Sequence, residues 1–190
     1  MNPWFAKAII LLSNVVMVIL RAPHGQRSRA VKNRKGPREV ALLTFAWLGF
    51  AVPLVWVASP LFAFADYPLH PIPFVSGAMF LALGLWLFGR SHADLGRNWS
   101  ITLQVREAHE LITRGVYRHV RHPMYLSLLL YSLGQALALP NWVAGPSYGV
   151  AVTAVVAFRL GAEERLMLEH FGEDYRTYMA RTKRLVPGVW

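Results

Sequence analysis

The sequence predicts an all-α integral membrane protein. It is read as a single membrane domain, residues 1–190, of about five transmembrane helices with a C-terminal helical hairpin and a pocket at its cytoplasmic edge. Three observations predict this. Apolar residues make up 55% of the 190-residue chain, more than a soluble domain uses, and they are gathered into blocks. Residues 40–65, 67–89 and 123–158 form runs of 26, 23 and 36 residues without Asp, Glu, Lys or Arg, and residues 4–20 carry only Lys7. Apolar blocks of 18 or more residues read as membrane spans. The second observation is the placement of charge. Seven Lys or Arg lie in 21–38, six in 90–121 and six in 159–184, whereas 66–73 and 140–146 contain none. Basic segments stay on the cytoplasmic side, so the chain alternates consistently between inside and outside. The third is a length argument. As one helix, 123–158 would run about 54 Å at 1.5 Å per residue, far beyond a hydrocarbon core of about 30 Å, so it must fold back.

The elements follow in order. Span 1 covers 4–20 and leaves the N-terminus outside. It has no basic flank before it and no small-residue cleavage site after it, so it reads as a retained span and not a signal peptide. A basic cytoplasmic linker, "RAPHGQRSRAVKNRKGPRE", leads to span 2 at 40–64, where Pro53 is a tolerated kink. "DYPLHPIP" is an external turn, and span 3 at 74–89 returns the chain inside. The segment 90–122 is too polar to span. Spans 4 and 5, at 124–139 and 142–160, form the hairpin around the turn residues of "LPNWVAGP". The tail from "EERLMLEHF" onward reads as an amphipathic cytoplasmic helix. Leu166, His170, Tyr175, Tyr178 and Met179 would face the core or the lipid surface, with a break at Gly172.

The formal net charge is +10 and there is no cysteine. On a soluble chain such charge would suggest nucleic acid. Here its positions make it a topology signal, with attraction to anionic membrane lipids as a second effect, and no nucleic-acid partner is expected. Thiol catalysis and disulfides are excluded. The glycines form no dinucleotide or phosphate-loop fingerprint.

The candidate chemistry lies where polar groups gather at the cytoplasmic membrane edge: "NWSITLQVREAHELITRGVY", "RHVRHPMY" and "FRLGAEER". Polar groups converging at one end of an apolar bundle are the mark of a site. Arg159 ends an apolar helix, and an ionisable residue there is a functional candidate. The competing reading is a snorkelling side chain paired with Glu163, four residues on. Glu164 points elsewhere and reads as solvated. His119 and His122 are three apart, and Glu163 or His109 would complete a metal set. Pro123 biases His122 out of helical geometry, so no metal is assigned. Tyr117 and Tyr125 also fit an interfacial aromatic belt.

The pattern "HELITRGVYRHVRHPMY", followed 38 residues after Tyr125 by "EERLMLEHFGEDYRTYMARTKRLVP", resembles the isoprenylcysteine carboxyl methyltransferase family of integral-membrane, S-adenosylmethionine-dependent enzymes. The similarity covers residues 95–187, and the earlier spans match in hydropathy alone. Phospholipid N-methyltransferases and sterol reductases share weaker versions of the pattern. The resemblance implies that His109, Glu110, Leu111 and Ile112 contact the cofactor, as do Tyr117, His122, Pro123, Met124 and Tyr125. It implies that Glu163 holds the amino-acid end of S-adenosylmethionine and that Arg159 faces the substrate. A glutamine that contributes in the family falls here at Thr102, with Gln104 two residues later. The implied acceptor is lipophilic, a prenylcysteine or a related isoprenoid or lipid carboxylate. The product of the donor is S-adenosylhomocysteine. The alternatives are an NADPH-dependent membrane reductase of the sterol-reductase type, a phospholipid N-methyltransferase, or a scaffold that keeps the fold without activity. The oligomeric state is not legible.

Overall fold

A computed structural model describes residues 1–29, 36–96 and 110–189. Among these residues five α-helices carry the fold: α1 (Trp4–Arg29), α2 (Pro37–Ala58), α3 (Pro71–Leu95), α4 (Pro123–Ala138) and α5 (Ala144–Arg181). Helices α2, α3 and α4 start on a proline, whose fixed φ and missing N–H suit the first helical turn. Among the described residues, three helical segments are long and apolar enough to cross a membrane: Trp4–Pro23, Pro37–Ala58 and Pro71–Leu95.

The boundaries differ from the sequence expectation in instructive ways. The second helix ends at Ala58, six residues before the expected limit. Pro60 forces Ser59 into extended backbone, φ −146° and ψ 160°, and the Ser59 hydroxyl caps the Val55 carbonyl at 2.9 Å. The fifth helix is longer than expected. No strong breaker separates the apolar run from the tail, so one helix continues through "GAEERLMLEH" until Gly172, which turns at φ +52°. In the tail, Tyr175 and Tyr178 are buried as expected, whereas His170 is exposed.

Close helix approach depends on glycine. A Cβ on Gly134 would lie 2.5 Å from the Leu81 amide nitrogen, and one on Gly77 would lie 2.6 Å from that of Ala138. Small residues let membrane helices pack backbone to backbone, and this joins α3 to α4. Gly49 does the same for α2 and α5, where a Cβ would meet the Ala151 side chain at 2.6 Å. Gly134→Val should therefore lower stability by about 1–3 kcal/mol, read as an earlier thermal unfolding transition in detergent.

The two connections that lack Lys and Arg meet at one end of the bundle. Asp66 accepts from the Trp56 indole at 2.7 Å and from the Asn141 amide at 2.6 Å. Backbone bonds join Trp142 to Ala65 and Tyr67 to Pro140, each at 3.0 Å. The N-terminal amine reaches the Leu69 carbonyl at this same end. At the other end lie described charged residues of the third and fifth helices and of the stretch between them, among them Asp94, Arg121 and Glu164. There the Asp94 carboxylate accepts from the Val116 amide at 2.9 Å. Gly115 sits at φ +61°, and a Cβ on it would collide with that carboxylate.

Candidate active site

The charged end of the bundle holds a cavity of about 260 Å³. Its walls come from four places. The segment before the short turn Gly115–Arg118 gives Glu110, Leu111 and Ile112, and the turn itself gives Tyr117. The start of α4 gives His122, Met124 and Tyr125. The middle of α5 gives Arg159 and Glu163. Tyr175 and Tyr178, beyond the Gly172 break, close it from the tail. The remaining wall is apolar and faces α1 and α2 through Met17, Leu43 and Phe50.

Local sequence explains the positions. Pro123 opens α4, so His122 stays outside the helix at φ −123°, ψ 59°. Its ring lies almost parallel to that of Tyr125, with centroids 5.7 Å apart. The Tyr125 hydroxyl donates to Glu163 at 2.7 Å, which ties α4 to α5 across the cavity. Arg159 lies 3.4 Å from Glu39 of α2, a partner that its sequence neighbourhood does not announce. Of the residues that the resemblance marks, Glu110, Leu111, Ile112, Tyr117, His122, Met124, Tyr125, Arg159 and Glu163 meet around one space. Pro123 is buried behind the wall and acts by setting the start of α4. His109, Gln104 and Thr102 lie outside the described residues.

Glu164 is where the structure departs most from the sequence reading. It was expected to be solvated, yet it is 3% exposed. Its Oε1 accepts two bonds from Arg121, from Nε at 2.9 Å and Nη2 at 2.7 Å. His122 Nε2 stands 3.4 Å from the same oxygen, and Arg184 Nη2 is 2.8 Å from Oε2. Burial alone would raise the carboxyl's pKa. The two bonds from Arg121 and its charge, with His122 beside the same oxygen, outweigh it and hold the group at about 2. Arg121 also donates to the Met179 and Thr182 carbonyls. Backbone bonds from Arg121 to Lys183 and from His122 to Arg184 complete the clasp. The cluster thus pins the tail against "RHVRHPMY", and Tyr178 adds a bond to the Tyr117 carbonyl. Burial raises the Tyr175 and Tyr178 hydroxyls, so both stay neutral donors.

His119 and His122 do not share a site. His119 is exposed and accepts from Arg118, while His122 turns inward to Glu164. Among the cavity residues to which sequence reasoning gives no role are Arg21, Trp47, Arg121 and Tyr148. In the sequence Arg21 reads as a topology charge, and Arg121 stands in the candidate stretch "RHVRHPMY" without an assigned role. The one available signal was Glu39, the sole acidic residue among the first 65.

The walls suit S-adenosylmethionine by the chemistry of their groups. A carboxylate at Glu163 matches an ammonium. The rings of Tyr117, Tyr125 and Tyr175 offer faces to a heterocycle and a sulfonium. The apolar wall leaves room for a lipid chain.

Comparisons with known proteins agree with this arrangement. The phospholipid methyltransferase family matches residues 72–174. Protein-S-isoprenylcysteine O-methyltransferase B of Arabidopsis thaliana is 32% identical over 115 residues, covering 60% of this chain and 58% of that protein. The Homo sapiens protein-S-isoprenylcysteine O-methyltransferase is 30% identical over 117 residues, 60% of this chain and 41% of that one. The chain thus spans about half the length of these curated relatives. A probable protein-S-isoprenylcysteine O-methyltransferase of Oryza sativa subsp. indica is 24% identical over 187 residues, 97% of this chain and 95% of that one. The solved structure of the eukaryotic intramembrane Ras methyltransferase, isoprenylcysteine carboxyl methyltransferase, shares the fold with a TM-score of 0.58 at 23% identity. That match covers 95% of this chain and 62% of the other. The helix-lined cavity, the motif residues that meet on it and these likenesses lead to one conclusion: the chain belongs to the phospholipid methyltransferase family, and the members it resembles are isoprenylcysteine carboxyl methyltransferases.

Proposed function

We propose that the protein is a membrane methyltransferase that moves a methyl group from S-adenosylmethionine to the carboxylate of a lipidic acceptor, such as a prenylcysteine. The observation that carries this is the convergence of Glu110–Ile112, Tyr117, His122, Met124, Tyr125, Arg159 and Glu163 on one cavity that has an apolar wall. When bound, S-adenosylmethionine supplies a sulfonium-activated methyl, whose transfer to a carboxylate oxygen leaves a thioether and releases no proton. A carboxylate is ionised at neutral pH, since its reference pKa is about 4, so the protein needs no general base. Its work is to align two ligands and exclude water.

The residues divide that work. Glu163 holds the ammonium of the donor, and the Tyr125 hydroxyl fixes the carboxylate that does so. Arg159 faces the acceptor. A guanidinium pairs with a carboxylate bidentately and stays charged at every working pH. Tyr175 and Tyr178 close the polar side, held there by the Glu164 clasp.

The membrane reading extends this. All five helices cross or enter the bilayer, with α4 and the first part of α5 as the hairpin. The 16 residues of α4 rise about 24 Å, so this arm crosses where the bilayer is thin. The N-terminus and the basic-free connections lie outside, and the cavity lies at the cytoplasmic face. The support is the positive-inside pattern together with the grouping of those connections at one end of the bundle.

Calorimetry on the detergent-purified protein tests the class. Saturable binding of S-adenosylmethionine and S-adenosylhomocysteine is expected, weakened at least tenfold in Glu163→Ala. Binding of NADPH alone would move the protein to the reductases and void these roles.

A further inference from the structure

The end of the bundle away from the cavity holds a second meeting of charges. Lys7 is the only Lys or Arg among residues 1–20, and Asp66 is the only Asp or Glu among residues 40–93. The fold brings both to one cleft, lined by Trp4, Lys7, Trp56, Ser59 and Asp66. Lys7 comes from the first turn of α1, Trp56 from the last turn of α2 and Asp66 from the connection to α3. A lysine near a span end ordinarily reaches outward to water or lipid. Lys7 instead lies against two indoles. Its Nζ is 5.3 Å from the Trp4 ring centroid and 5.5 Å from that of Trp56. It donates to the Val57 carbonyl at 3.3 Å, which uses one of the three N–H donors of an ammonium.

Asp66 is held just as firmly by neutral groups. Its Oδ1 accepts from the Trp56 indole at 2.7 Å and from the Asn141 amide at 2.6 Å. These bonds fix the carboxylate and leave Oδ2 to accept. Trp56 thus touches both charges, with its N–H on the carboxylate and its ring face toward the ammonium. Among the described residues, Lys7 and Asp66 form no ion pair with each other or with any other group. Trp4, Leu61, Phe64 and Trp142 are exposed at this end. Such aromatic side chains mark the depth of the lipid headgroups, so lipid covers the cleft.

We propose that this cleft binds the zwitterionic headgroup of a phospholipid, with its phosphate on Lys7, its ammonium on Asp66 and Trp56 as the spacer between them. The site is separate from the methyl-transfer cavity, and its occupant is a bound lipid and not a methyl acceptor. Under the topology proposed above, that lipid belongs to the outer leaflet. The selectivity follows from charge. An anionic headgroup without an amine satisfies Lys7 but meets Asp66 as a like charge, and a headgroup with an ammonium alone does the reverse. Charged contacts at a partly desolvated surface weigh more than in open water. A bound headgroup ties α1 to the end of α2 and to the connection after it, so its binding raises the thermal unfolding temperature.

The test is native mass spectrometry of the full chain in detergent, titrated with phosphatidylethanolamine and with phosphatidylglycerol of the same acyl chains. Phosphatidylethanolamine should bind at least tenfold more tightly and raise the unfolding temperature. Lys7→Gln keeps a donor for the Val57 carbonyl but no charge, and it should weaken phosphatidylethanolamine at least tenfold. Asp66→Asn keeps an acceptor for Trp56 and Asn141, and it should erase the preference by weakening phosphatidylethanolamine and strengthening phosphatidylglycerol. Lys7→Arg keeps the charge and should bind as the unaltered chain does. Because the amides retain the neutral bonds, lipid-free unfolding of the variants should match that of the unaltered chain, which reports that they fold. The opposite effects of Asp66→Asn on the two lipids separate a headgroup site from a merely structural contact. Equal or tighter binding of phosphatidylglycerol by the unaltered chain would overturn the proposal. So would phosphatidylethanolamine binding that neither Lys7→Gln nor Asp66→Asn weakens, which would place the lipid elsewhere on the bundle.

Discussion

Replacing Glu164 with alanine is expected to destabilise the protein by about 3–5 kcal/mol, the usual cost of removing one partner of a buried ion pair. The reason is what remains. Arg121 keeps its charge, its side chain is 7% exposed, and it loses two bonds of 2.7 and 2.9 Å. His122 and Arg184 lose the same partner. The tail then keeps the backbone bonds, the Tyr178 bond and the Arg121 bonds to the Met179 and Thr182 carbonyls, without the carboxylate that anchors Arg121. Thermal unfolding in detergent measures the stability loss. Proteolysis of the tail measures the release, which should be faster in Glu164→Ala than in the unaltered chain. Glu164→Gln should cost less, because an amide oxygen still accepts from Arg121.

The same cluster fixes an acid limit. The Glu164 carboxyl is depressed in the fold from an ordinary value of 4.5 to about 2. A depressed carboxyl contributes stability that is complete above its unfolded pKa and is lost as pH falls through the folded one. The contribution should therefore fade between about pH 4.5 and 2 and be absent from Glu164→Gln. A variant that kept the full acid sensitivity would place its source elsewhere.

Arg159→Ala carries the second large expected effect, a loss of turnover of roughly 10²–10³-fold, the scale seen when one preorganised electrostatic contact to the reacting group is removed. Cofactor affinity should change little, because the proposed function assigns the donor to Glu163, which Tyr125 holds by a bond independent of Arg159. The separation is read by single-turnover methyl transfer beside S-adenosylhomocysteine calorimetry on one preparation. Glu163→Ala should show the converse pattern, with binding lost first. Loss of both functions in Arg159→Ala would mean that the arginine supports the whole cavity and does not face the acceptor. Arg159→Lys should recover little, since an ammonium lacks the planar fork that fits a carboxylate.

Hydropathy and charge by themselves determined that this is an all-helical membrane protein, with polar chemistry gathered at one end. Long charge-free blocks leave few alternatives, and positive residues sort by side. The motif "RHVRHPMY" with "EERLMLEHF" likewise determined the family, and nine of the residues marked by it line one cavity. Helix limits were less legible where a single residue decides them. Pro60 and Gly172 act through local backbone geometry, and a hydropathy average cannot weigh that against an apolar neighbourhood.

The tertiary structure alone decided the partners. Glu163 and Glu164 are adjacent in sequence and share chemistry, but a helix turns them about 100° apart. One faces the cavity and the other a buried arginine 43 residues away. Glu39 and Arg159 are 120 residues apart and come together through the contact of α2 with α5. Arg21 has the same composition signature as any arginine at a span end, and only its turn into the cavity sets it apart. Period and composition report which face of a helix is apolar. Which charge meets which across a bundle depends on helix order and on glycine contacts such as Gly49 against Ala151, and these exist only once the chain is packed.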